Sequence, residues 1–481
     1  MPTEPQAAPS SPGRARRIAL ALVLVVAVVA AGTWAALSMR DEGPDPADVG
    51  TSSPATEPPS PVPTTPAAEP VDPAIFESTP VPTWETSAAD LMGTSESGVT
   101  VAAPDPAGRP NQADVVVLAA WGGDSAAVIG LDRATGAQVW RQDLPGVRPV
   151  ACHVLGDGRR TACTVPVSEG SADHRVLTLD TAAGDILGDD TVPQTPRHVV
   201  AVSDDIVVAG SNVADGRLMM SRGTPDDVDR FWVEESQPGF VPATEYWGEY
   251  TTDEGKAAFE VSGSTMLVEL ATGDARLGRS DDDGRLGLWP GGATTRTTFT
   301  DGDGTTEGTS TTTLTRPDGT ELTFPDSPWG RFGTSESMAG VVGAGSTAYD
   351  SLTGDPLWTA PERTDVLDTT YLVVDDTVVQ ASWYEESAQL LALDLRTGEE
   401  AWTASARSYA TSALHGRVLV LGSYWELTAV DLETGESPWQ LAYESDMAGD
   451  DFYWDNTVEH LVVGDALVTV SYDTVRGYGF S

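Results

Sequence analysis

A single lysine, Lys256, stands among 481 residues, with only two cysteines and five histidines. Basic residues number 27 against 73 acidic ones, a formal net charge of −46. A surface so negative repels nucleic-acid phosphates and anionic headgroups, so nucleic acid is excluded as a partner. His153, His174, His198, His415 and His460 show no metal-ligand spacing and read as strand or surface residues. No Gly-x-Ser-x-Gly elbow is set between a suitable strand and helix, which removes the usual serine-hydrolase machinery. Two acidic clusters, DDDG at 281–284 and DGDG at 301–304, lack the EF-hand pattern: Thr306 stands where the sixth-position glycine would follow Asp301. They read as solvated turns.

Long apolar runs are equally scarce, with one exception. Ile18 to Leu37 carries no charge and is long enough to cross roughly 30 Å of hydrocarbon at about 1.5 Å per residue. Arg14, Arg16 and Arg17 precede it, and Asp41 and Glu42 follow it. The charge bias predicts a plasma-membrane helix over 18–38, a cytoplasmic tail over 1–17 and everything later outside. A cleaved signal peptide is the rival, but its apolar region is usually shorter. No cysteine follows the run to carry a lipid. Residues 39–86 are rich in Pro, Ser, Thr and acid, a composition suited to a semi-extended stalk. The globular domain is expected over 87–481.

Cys152 and Cys163 flank GDGR, and a hairpin centred there places them opposite one another. An external compartment permits their oxidation, so the pair is expected to be a structural disulfide.

The main signal is a repeat. The spacing Asp-x-x-Thr-Gly-x-x-x-Trp occurs at Asp132, Thr135, Gly136 and Trp140; at Asp350, Thr353, Gly354 and Trp358; at Asp394, Thr397, Gly398 and Trp402; and at Asp431, Thr434, Gly435 and Trp439. Degraded copies surround Gly184 and Gly273, and weaker ones Trp232 and Gly319. The spacing between copies approaches the length of a four-stranded propeller blade. Each copy opens on alternating apolar residues, a strand signal. The Asp and Thr-Gly then supply a tight turn, and the Trp lies on the returning strand, sized to fill the wedge between neighbouring sheets.

These residues resemble the PQQ-like β-propeller repeats, whose blades bear an Ala-x-Asp-x-x-Thr-Gly-x-x-x-Trp signature; the resemblance covers roughly residues 95–481. It implies an all-β propeller of four-stranded antiparallel blades. Eight blades are preferred and seven the alternative, with a strand near GVTVAAP completing the last blade. The family includes quinoprotein alcohol dehydrogenases, the propeller lipoprotein of the bacterial outer-membrane assembly machinery and many membrane-anchored bacterial proteins. The enzymes hold a quinone at the propeller centre with a calcium ion on carboxylate and amide ligands, and many cover it with adjacent cysteines. Here the cysteines lie in one hairpin and no long insertion is available. No catalysis, cofactor or metal is therefore expected.

Aromatic residues outside the motif mark a candidate binding face. Trp121, Trp383 and Trp425 fall at loops between second and third strands, and Trp247 and Trp454 in connections between blades, together with Tyr250. Rings beside polar groups suit interface anchors or sugar platforms. The expected function is a protein-binding or scaffolding module of the bacterial cell envelope, with envelope proteins or cell-wall components as partners. The alternatives are a ligand or glycan sensor binding in the propeller funnel and, behind it, a quinoprotein-like oxidoreductase. Oligomeric state is not encoded in any of these signals.

Overall fold

The computed structural model describes residues 78–480, apart from 96, 104–113, 146–150, 157, 169–170, 213, 242–247, 254, 280–283, 301–308, 332–337, 339, 362–367, 375, 384–386, 408–410, 416–417, 423–425, 443–458 and 472. Among these residues the strands form nine consecutive blades. Blade 1 comprises Ser97–Val101, Val115–Gly122, Ser125–Asp132 and Gln138–Pro145, laid side by side in chain order and antiparallel. Its two central strands are buried almost throughout, from Val115 to Ala120 and from Ala126 to Leu131. A propeller sheet has a neighbour on each face, so its central strands are apolar on both sides. The outermost strand keeps one exposed edge and a polar face.

Blades 2 to 5 repeat this order over 151–192, 195–235, 248–279 and 285–325. Blade 6 has three regular strands, Val341–Ala344, Thr347–Asp350 and Pro356–Thr359. Its inner edge comes from an irregular segment in which Pro328 bridges Ala344 and the Trp329 amide donates to Gly343 at 3.0 Å. Gly330–Arg331 then pairs in parallel with Asp368–Val374, the innermost strand of blade 7. Blades 7 and 8 occupy 368–407 and 411–442.

Blade 9 corrects two expectations. The eight motif units up to Trp439 are each a blade, and the C-terminal strands Glu459–Val463, Ala466–Ser471 and Thr474–Gly479 build a ninth, so the count is neither eight nor seven. Its outermost strand is Val81–Ser87, antiparallel to Thr474–Gly479. The GVTV segment, expected to close the ring, is instead the innermost strand of blade 1. The first strand therefore begins six residues ahead of the expected domain start at 87. Pro82 hid it: a proline is tolerated on an edge strand because no neighbour needs its missing N–H.

The chain passes from that strand to blade 1 through a short helix, Ala88–Met92. Ser87 caps it by accepting from the Asp90 amide at 3.0 Å, and Gly93 ends it at φ +72°. Ala88 and Met92 join Trp84, Val99, Leu118, Leu461 and Val468 in one core where the two ends of the domain meet. Arg133 of blade 1 spans the closure, reaching Asp465 of blade 9 at 3.2 Å. The expected membrane helix over 18–38 lies outside the described residues. Among those described, no helix is long and apolar enough to cross a membrane.

Candidate functional site

The repeat motif is built into the scaffold. Asp132 Oδ1 accepts from the Thr135 amide at 2.9 Å and its hydroxyl at 2.6 Å, and the Gly136 amide closes the turn onto Asp132 O at 2.8 Å. The Thr135 hydroxyl, then its amide, hold the Asp132 carboxyl below the ordinary aspartate range. Asp350 and Asp394 are lowered in the same way, chiefly by the amides of Thr353 and Thr397. Thr434 donates its amide to Asp431 at 3.0 Å.

Each tryptophan then docks on the turn of the following blade. Trp140 Nε1 donates to Thr181 O at 2.8 Å, Trp232 to Leu270 O at 3.1 Å, Trp358 to Leu395 O at 2.9 Å and Trp402 to Leu432 O at 2.7 Å. The acceptor is always the residue after the acidic one that opens the turn. Each ring covers the next turn glycine so closely that a Cβ there would overlap it, at 2.6 Å for Gly184 and 2.5 Å for Gly398. Trp84 repeats the pattern from the closing strand, donating to Arg133 O at 2.8 Å over Gly136. Trp439 meets blade 9, where no such turn exists, and packs on Tyr478 and Phe480 instead.

The docking lapses around blade 5. Blade 4 carries Leu277 four residues after its turn glycine, and nothing lies within 4 Å of a Cβ at Gly319, the turn glycine of blade 5. Blade 5 in turn places Leu322 rather than a ring beside Gly354. Here the structure holds a cavity of about 660 Å³. The innermost strands of blades 3, 4, 5 and 7 and the irregular inner edge of blade 6 contribute His198, Tyr250, Arg285 to Trp289, Trp329 and Leu372. Second and third strands add Glu260, Thr265, Thr295, Thr297 and Phe299. Arg285 of blade 5 donates through Nε to Glu260 of blade 4. The Thr265 hydroxyl is fully buried and has no hydrogen-bond partner among the described residues.

Of the candidate aromatic face, Trp247, Trp425 and Trp454 lie outside the described residues. Trp383 ends the second strand of blade 7, opposite Asp368 and Ala388. Trp121 ends the second strand of blade 1, half-buried, with its ring over Gly98 and against the blade 1–2 core. Tyr250 departs from expectation. It belongs to the innermost strand of blade 4, Gly248–Asp253, and is buried there rather than held in a surface connection.

Cys152 and Cys163 sit directly opposite in the first hairpin of blade 2 and are disulfide-bonded. His153 beside them is buried 5.7 Å from His198, ring to ring. Burial, then the neighbouring His198, push its pKa down to about 4. Burial lowers His460 to about 4 as well. The acidic turns considered for calcium, 281–284 and 301–304, lie almost wholly outside the described residues. The carboxylates that do converge, Asp190, Asp227 and Asp229, come from the outermost strands of blades 2 and 3, within 4.8 Å of one another. Burial and then Asp227 raise the pKa of Asp229.

The cavity wall does not fit the quinone and calcium of the dehydrogenases. Among the described residues its one carboxylate is engaged by Arg285, it offers no side-chain amide, and the cysteines are bonded within another blade. No redox step follows from this donor set. A protein-family model described as outer membrane protein assembly factor BamB matches residues 312–476. No curated protein matches the chain. Among solved structures it is similar to the quinohemoprotein alcohol dehydrogenase ADHIIG of Pseudomonas putida HK5, with 12% identity, 84% of this chain and 78% of that one covered, and a TM-score of 0.40. A eukaryotic initiation factor gives 11% identity, 73% and 91% coverage and a TM-score of 0.49. Saccharomyces cerevisiae Sqt1 gives 9%, 83%, 98% and 0.44. The described residues form a β-propeller whose part over 312–476 is similar to this repeat family. Its function has to be argued from its own surface and cavity.

Proposed function

We propose that this protein is a protein-binding or scaffolding module of the bacterial cell envelope, held outside the plasma membrane by residues 18–38 and the Pro-rich stalk. The observation that carries the reading is an apolar rim. Val139, Ile186, Leu187 and Val233, on the outermost strands of blades 1, 2, 2 and 3, are 52%, 53%, 46% and 41% exposed. Exposed aliphatic side chains on edge strands suit the addition of a partner's strand or the docking of an apolar face. The match to an outer-membrane assembly factor supports a protein partner of this kind.

A photo-cross-linking residue placed at Ile186 or Val233 in the intact, membrane-associated chain should trap one defined envelope protein. Ile186→Lys and Val233→Lys should each reduce recovery of that protein about tenfold, the loss of one well-packed interface side chain. Equal recovery from the substituted proteins, or no adduct from any rim position, would contradict the reading. Protease added to spheroplasts should cleave the chain from outside and leave a membrane-embedded N-terminal fragment.

A further inference from the structure

The outer seam between blades 2 and 3 is built unlike those of the tryptophan-bearing blades. Blade 2 places Gly188 four residues after its turn glycine, the position held by Trp140, Trp358, Trp402 and Trp439 in blades 1, 6, 7 and 8. The blade 3 turn fills the space instead, so near that a Cβ at Gly188 would stand 1.9 Å from Pro225 O. In place of an indole N–H, the Val228 amide crosses the seam and donates to Asp190 Oδ2 at 2.9 Å. An acid thus makes the joint that a ring makes elsewhere, and its carboxylate lies within 4.8 Å of those of Asp227 and Asp229.

The charge around this joint is poorly offset. The outermost strands of blades 2 and 3 carry Asp189, Asp190, Asp227, Asp229, Glu234 and Glu235 against Arg230 alone. Arg175 takes Asp189 at 2.5 Å and Arg217 takes Glu235 at 2.6 Å, but among the described residues no ion pair reaches Asp190, Asp227 or Asp229. Burial, then Asp227 and Asp190, hold the Asp229 pKa up, a cost that an incoming cation lowers. The same two strands expose Ile186, Leu187 and Val233. Apolar contact and unmatched negative charge therefore share one surface.

Charge also decides what can cover it. A second copy brings its own −46, and residues 41–86 of this chain hold acids but neither lysine nor arginine, so both are repelled. An anionic polymer or lipid surface is repelled in the same way. We propose that the outer surface of blades 2 and 3 docks an extended segment of a partner protein that combines aliphatic residues with arginine or lysine. The aliphatic side chains cover Ile186, Leu187 and Val233, and the cations meet Asp190, Asp227 and Asp229. This inference rests on the reading of the chain as a protein-binding module and adds the chemistry of its partner.

The test is a titration of the full-length chain in detergent with labelled synthetic decapeptides, read by fluorescence anisotropy. A peptide alternating valine and arginine should bind saturably and more weakly as salt rises, while one alternating valine and glutamate should not bind. One alternating serine and arginine should bind about tenfold more weakly than the valine peptide, because it lacks the apolar contact. The combined variant Asp190→Asn, Asp227→Asn and Asp229→Asn, which removes like-charge repulsion and keeps an acceptor for Val228, should weaken binding about tenfold. Should it melt early, Asp229→Asn alone is the second test, with a smaller loss. Neutralising three remote exposed acids by Glu321→Gln, Asp355→Asn and Glu399→Gln should change affinity by less than about twofold, since charges far from the peptide are screened. No binding of the valine–arginine peptide, or equal losses from the near and remote variants, would overturn the proposal. A partner trapped from Ile186 or Val233 through an acidic segment would overturn it too, yet leave the protein-binding reading standing; trapping no protein at all would sink that reading instead.

Discussion

At the scale of single residues, the motif tryptophan does two things. It fills the wedge between blades, and its indole N–H satisfies a turn carbonyl of the next blade. Removing the whole side chain from a buried site such as Trp402 should destabilise the domain by about 3–5 kcal/mol. Trp402→Phe, which keeps a ring but loses the bond to Leu432, should cost closer to about 1–2 kcal/mol. The glycines beneath the rings make a sharper comparison. Gly435→Ala combines a φ of +73° with a Cβ 2.6 Å from the Trp402 ring, whereas Gly319→Ala at φ +80° meets nothing within 4 Å. Denaturant unfolding should therefore find Gly319→Ala near the backbone cost alone, about 1–2 kcal/mol, and Gly435→Ala clearly above it.

The buried histidines make stability depend on pH. His153 and His460 titrate near 6.5 in the unfolded chain and near 4 in the folded one. The unfolded state thus binds more protons between these values, so stability is full above about pH 6.5 and falls on acidification. The loss approaches about 3 kcal/mol per histidine by pH 4. The motif aspartates, whose pKa values are lowered, add their own loss only below that window. Melting temperatures across pH 4–8 should show this monotonic fall, and His460→Gln should flatten it.

At the scale of elements, the sequence carried its clearest signal where one short segment does one job. Asp132 to Trp140 turns a strand and docks a blade within nine residues, so its spacing could be read directly. Cys152 and Cys163 were legible for the same reason, since a two-strand hairpin brings them together across a single turn. Replacing both by alanine should lower stability by about 3 kcal/mol, the expected effect of freeing a loop of this length, as seen by unfolding under non-reducing conditions. What could not be read is assembled from distant pieces. Glu260 and Arg285 meet across two blades. No local period marks such a site. Trp289 and Trp329 were the available hints, tryptophans lacking the Thr-Gly turn ahead of them. Trp84 was missed because its strand is embedded in proline-rich sequence that reads as stalk.

At the scale of the whole molecule, nine blades close through a strand contributed by the opposite end of the chain. Trp84 occupies the docking position that Trp140, Trp232, Trp358 and Trp402 hold on other outermost strands, and Trp84, Ala88 and Leu461 share one core. Closure also buries the apolar faces of the first and last blades against each other.

Hydrogen exchange of the full-length chain, resolved over residues 78–92, tests this architecture most directly. The account predicts that the amides of Val81–Ser87 that face Thr474–Gly479 exchange as slowly as those of the outermost strands in blades 1 and 7, and that Trp84→Ala releases them. Exchange at the rate of a free Pro-rich segment in the unsubstituted protein would contradict the nine-bladed closed ring.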